Sequence, residues 1–172
     1  MAVILASPPT TSGVRTLGMA QHAVQLLGGK HLLVANLFDF PAPDLPALSA
    51  RGSDPAGWLA ARPKLVGALQ EADLLLAAWG LHSLYGPARL RRAEQLSWLQ
   101  GEARARGHVS AWCVGGQPRH PSRWHQYVSD RHGRTDGGSP SDRLKQVLRE
   151  STLQMLVQHA PRAKQSTTQN VS

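Results

Sequence analysis

Four short apolar runs constrain the fold of this chain more than any other feature: "AVILA" (2–6), "LLVANLF" (32–38), "DLLLAAWG" (73–80) and "VSAWCVG" (109–115). Each is nearly continuous rather than alternating, which is the pattern of strands covered on both faces. The stretches between them carry helical spacing. Leu17, Ala20, Val24 and Leu27 form one apolar stripe that ends at "GGK", where glycine suits a helix C-cap. Trp58, Leu59, Leu65 and Leu69 line a second helix after a proline-rich connection, with Pro63 either starting or kinking it. A long helix is predicted from about Ser83 to Gly107, with Leu96, Leu99 and Ala103 inward and its arginines outward. "SPSDRL" opens the last helix, which the spacing carries through Leu144, Val147, Leu148 and Met155.

Strand and helix in alternation predict a three-layer α/β/α sandwich around a mainly parallel four-stranded sheet. Residues 1–160 read as one α/β domain, and "PRAKQSTTQNVS" (161–172) reads as a disordered polar tail. No apolar run approaches the roughly 18 residues a membrane span requires. The opening "MAVILASPP" lacks the basic start of a signal peptide and is expected to be structural. Cys113, the one cysteine, excludes an internal disulfide; inside an apolar run it is expected to be a buried thiol in a reducing cytoplasm.

The net charge of +8 is unevenly spread. Residues 1–86 are neutral, whereas residues 87–134 carry nine arginines against three acids. Arginine pairs with phosphate in a bidentate fashion and stacks on bases, so this block suits a nucleic acid or nucleotide; it equally suits a basic solvated face. On the first of these alternatives, Arg89, Arg91 and Arg92 on the long helix contact nucleic acid, with Arg123 and Trp124 beyond the fourth strand.

In parallel sheets ligands bind beyond the carboxyl ends of the strands. The four exits are "SPPTTS" (7–12), "NLFDFP" (36–41), "WGLHS" (79–83) and "GGQPRHP" (115–121), and all four should meet on one edge. Ser7, Thr10 and Thr11 supply hydroxyls ahead of a helix N-terminus that suits an anion, or they form an ordinary capping turn. Asn36 ends an apolar strand, beside Phe38; its amide can match a nucleobase edge or satisfy neighbouring backbone. Asp39 is the one carboxylate in these exits and is the candidate base, with a cap or turn as the alternative. Trp79 and Gly80 close the third strand, and Gly80 permits close approach of a ligand. His82 either donates to an anion or caps the next helix. Gly116 opens the backbone before Arg119 and His120, a pair held between Pro118 and Pro121 and so preorganised for binding or catalysis. No Walker loop, G-x-S-x-G elbow or metal-ligand spacing is present, so no cofactor and no metal is expected.

The exits "SPPT" (7–10), "ANLF" (35–38), "AAWG" (77–80) and "GGQPRHP" (115–121) resemble the bacterial and phage family catalogued as domain of unknown function 1643. The resemblance runs over roughly residues 4–125. Its last three motifs match, while the first has Ser7 and Pro9 where the family has Asn and Ser. The same order is remotely similar to the uracil-DNA glycosylase superfamily. That resemblance implies Asn36 at the base edge, His120 stabilising the departing base, and Arg123 with Trp124 probing a duplex. It also implies a glycosylase-like fold acting on a modified or damaged base. The first turn supplies neither carboxylate nor Asn, so Asp39 would have to act as base from another strand. Loss of a general base costs roughly 10²–10⁴-fold, which disfavours efficient uracil excision. A nucleotide or anionic small-molecule binder using the same edge is the alternative, and a non-catalytic accessory protein is a third.

Overall fold

The computed structural model describes residues 1–129 and 138–158; the tail expected over 161–172 lies outside them. The first apolar run forms β1 (Ala2–Leu5), followed by α1 (Val14–Leu26) and β2 (Leu33–Asn36). The proline-rich connection holds α2 (Leu45–Arg51) and leads into α3 (Ala56–Glu71) and β3 (Leu75–Ala77). Then come α4 (Gly86–Ala105), β4 (Ser110–Val114), a 3₁₀ turn (Pro121–Arg123) and α5 (His125–Val128). The last described elements are α6 (Pro140–Val147), β5 (Leu148–Thr152) and α7 (Leu153–Gln158).

The sheet order is β2-β1-β3-β4-β5. β1 pairs in parallel with both β2 and β3, and β3 with β4, whereas β5 is antiparallel to β4. Burial alternates along β1: Ala2 and Ile4 join the core under α2, α3, α4 and α7, while Val3 and Leu5 join the core with α1 and α6. Helices therefore cover both faces, and the continuous apolar runs follow from this. Among the described residues no helix is long and apolar enough to cross a membrane.

Among the described residues the sheet has five strands, not four. The helical spacing of Leu144, Val147, Leu148 and Met155 is interrupted because residues 148–152 pair along the free edge of β4, from Cys113 opposite Arg149 to Ser110 opposite Thr152. Ladder pairing on an open sheet edge outweighs local helical spacing. α6 stops at Val147, and its start carries the expected Ser cap as a full capping box between Ser139 and Asp142. α3 runs through Pro63 and exposes Leu59. α2 has no apolar period long enough to announce it, but Asp44 caps it by accepting from the Ala47 amide at 2.8 Å. Cys113 is buried, and burial pushes its thiol above the usual range.

Candidate functional site at the strand exits

α4 organises the carboxyl edge of the sheet from below. Ala88, Arg92, Gln95, Leu96, Leu99 and Ala103 form its buried face. Gln95 is fully buried; its amide donates to the carbonyls of Leu37 and Trp58, and its oxygen accepts from Arg62 Nε. The β2 exit is thereby tied to α3. Arg92 does the same for the β3 exit, donating to the carbonyl oxygens of Gly80 and His82. Desolvation lowers the Arg92 guanidinium to about 10, so it stays charged at neutral pH. Among the described residues no carboxylate pairs with it.

The β3 and β4 exits are bound to each other. Gly80 stands at φ 82, a left-handed conformation suited to glycine, and its amide donates to the Pro118 carbonyl at 2.6 Å. The Trp124 indole is fully buried under the β4 exit and donates to the Arg119 carbonyl at 2.7 Å. Arg119 donates through Nη2 to Gln117 at 2.6 Å and lies 5.4 Å over the Tyr127 ring, while its Nε is buried without a partner. His120 Nδ1 accepts from the Ser122 amide at 3.3 Å and meets the Ser122 hydroxyl at 2.9 Å. In the neutral ring this places the proton on Nε2, which remains a donor. Burial, then Arg123, then His82 hold His120 below the usual histidine value.

A cleft of about 760 Å³ opens where these exits converge. It lies at the junction of β1 and β3, where the connections reverse direction across the sheet. Its lining includes apolar Leu5, Leu37, Leu48, Trp58, Trp79 and Leu84 together with the cationic or titratable Arg92, Arg119, Arg123, His82 and His120. Among the described residues the one lining carboxylate is Asp44, whose Oδ1 caps α2. Ser7, Thr10 and Thr11 form the β1 side. α1 begins behind them with no side-chain cap and no acid in its first turn, at Gly13 with φ 64. A Cβ at Gly13 would sit 2.7 Å from Pro9 Cγ, so this loop requires glycine there. An excess of cationic over acidic lining groups suits an anion, and the large apolar side chains beside them suit an organic group.

Ser7, Thr10, Thr11, Trp79, Gly80, His82, Arg119, His120 and Arg123 are brought together on this cleft, as the strand-exit argument expects. Compared with known proteins, the chain matches no family model, no curated protein and no solved structure.

Other expected site residues stand elsewhere. Asp39 lies off the cleft and pairs with Lys64 Nζ at 2.6 Å. Phe38 is buried against Gly57, with its ring centroid 5.0 Å from that of Trp58. Asn36 and Gly116 also lie outside the lining; Asn36 is paired in register with Leu5, and its Oδ1 is buried without a partner. Two of the expected nucleic-acid contacts need correction. Trp124 is a core residue, and Arg92 is a buried anchor that meets the cleft from beneath, so neither can lie on a polymer at the surface. Arg89 is exposed on α4, off the cleft lining, and Arg91, also off it, pairs with Glu94 at 3.0 Å.

Sequence reasoning named Trp58 only as a helix-lining residue and passed over Leu48 and the start of α2, for which the proline-rich connection holds no signal. Arg92 was read as outward, although it shares helical phase with Ala88, Leu96, Leu99 and Ala103.

Proposed function

We propose that the protein binds a nucleotide in the strand-exit cleft, with the nucleobase against Leu48, Trp58 and Trp79 and the phosphate against Arg119, His120 and Arg123. The observation that carries this reading is that one cleft is lined both by large apolar side chains and by three arginines and two histidines, against a single carboxylate among the described residues, which caps a helix. Arg119 offers a permanent cation for phosphate, and the His120 Nε2–H is a second donor on the same lining. The start of α1, which has no side-chain cap and no acid in its first turn, adds a favourable dipole.

A second reading, a DNA strand that delivers one nucleotide into the cleft, is supported by Arg123 and Ser122, exposed at the rim in the 3₁₀ turn. It retains the resemblance to domain of unknown function 1643 and, remotely, to the uracil-DNA glycosylases. Base cleavage is not part of the proposal. Asp39 stands outside the cleft, and among the described residues the one lining carboxylate, Asp44, uses Oδ1 to cap α2.

Calorimetric titration with nucleoside monophosphates, the matching nucleosides and single-stranded oligonucleotides tests both readings. The nucleotide reading expects monophosphates to bind and Arg119→Ala to weaken them about 10- to 100-fold. No heat and no thermal shift with any nucleotide at millimolar concentration would overturn it. The strand reading expects an oligonucleotide affinity that falls with salt at a log–log slope of roughly −1.4 to −2.1, for two or three neutralised phosphates.

A further inference from the structure

The cleft lining has more positive capacity than one phosphodiester charge uses. We propose, building on the nucleotide reading, that the cleft selects a phosphomonoester dianion over a phosphodiester, His120 gaining a proton as the phosphate enters. Among the described residues the charged and titratable groups lining the cleft come from four elements. Arg92 rises from α4, His82 from the β3 exit, Arg119 and Arg123 from the segment of His120 itself, and Asp44 from the start of α2. β1 and α1 contribute only hydroxyls and apolar groups, from Ser7 to Leu17. Among the described residues the balance is three permanent cations against one carboxylate, which accepts a backbone amide.

A monoanionic diester leaves part of this field uncompensated, whereas a dianion answers it more fully. Protonating Nδ1 of His120 gives up the 3.3 Å bond from the Ser122 amide. The Ser122 hydroxyl at 2.9 Å donates to neutral Nδ1 and accepts from protonated Nδ1–H, so the ring keeps one partner in either state. Burial and the adjacent Arg123 and His82 oppose that proton. A dianion close by reverses the balance and draws one proton from solvent onto the ring. Affinity should therefore be greatest where His120 is protonated in the complex and should fall as pH rises through the bound-state value. A phosphomonoester has a second pKa of about 6, so at pH 7 the ligand is already about nine-tenths dianion and the proton taken up belongs to the protein.

The test is calorimetry at pH 7 in buffers of different ionisation enthalpy. A nucleoside monophosphate is compared with its methyl diester, and methyl phosphate with dimethyl phosphate. The expected result is at least 10-fold preference for the monoester within each pair and a net proton uptake. In His120→Gln, uptake should be abolished and the preference should shrink to a few-fold. Equal affinity for monoester and diester nucleotides, or uptake that persists in His120→Gln, overturns the inference while leaving the nucleotide reading standing. Selection of methyl phosphate over dimethyl phosphate, with no gain from a nucleobase, upholds the inference and removes the nucleotide reading. Failure of every ligand to bind removes both.

Discussion

The Arg92 guanidinium donates to the Gly80 carbonyl oxygen at 2.6 Å from within the core, so a buried cation on α4 holds the β3 exit in place. The same side chain holds the His82 carbonyl. Arg92→Met should leave both carbonyls without their donors and lower stability by roughly 1–3 kcal/mol, after allowing for the desolvation that the charge no longer incurs. Arg92→Lys should recover part of this. Urea midpoints report the change, and a Met variant as stable as the parent would contradict the anchoring role.

Trp124 should behave as a core residue whose indole also fixes Arg119. Trp124→Ala is expected to cost roughly 3–5 kcal/mol through the cavity it creates. Trp124→Phe keeps most of the packing but orphans the Arg119 carbonyl, at about 1–3 kcal/mol. Chemical denaturation separates the two. Any salt dependence of oligonucleotide binding should be unchanged in the folded Phe variant, because the ring does not reach the rim.

Asp39 and Lys64 form an exposed pair, with side-chain exposures of 22% and 69%. Asp39→Asn should therefore shift stability by less than about 1 kcal/mol. Ligand affinity should not move, since Asp39 stands off the cleft. A large loss of binding in this variant would return Asp39 to the site.

His120 links stability to pH with a definite sign. Its value in the folded protein lies below the ordinary 6.5, so just below 6.5 the unfolded chain binds more protons than the native state. Stability then rises with pH through that window. The penalty is absent above 6.5 and fully developed once pH falls below the folded value. His120→Gln should flatten this part of the profile, as measured by unfolding free energies between about pH 5 and 7. A steeper acid slope in the variant would reverse the assignment.

Much of the site was legible because parallel sheets gather strand exits on one edge. Ser7, Thr10, Trp79, His82, Arg119 and His120 are far apart in sequence, yet the apolar runs before them place all of them on one side. The exceptions have local physical causes. Phe38 points into the core because Gly57 leaves space for its ring. Asp39 turns outward to Lys64. Trp124 looks like a surface probe beside Arg123, but the 3₁₀ turn directs its indole under Arg119. Spacing in an irregular segment says little about which way a side chain faces.

By itself, the sequence determined the alternation of strands and helices, the covered sheet and the arginine excess, because these depend on local period and composition. Tertiary structure alone decided the fifth strand, the strand order and which charges meet. Residues 148–152 become a strand only because the edge of β4 is open to them. Arg92 becomes an anchor only because the carbonyls of Gly80 and His82 arrive above α4. "GGQPRHP" becomes one wall of a basic cleft only where the β1 and β3 exits close around it. Each of these depends on contacts between segments distant in the chain, and local periodicity carries no record of such contacts.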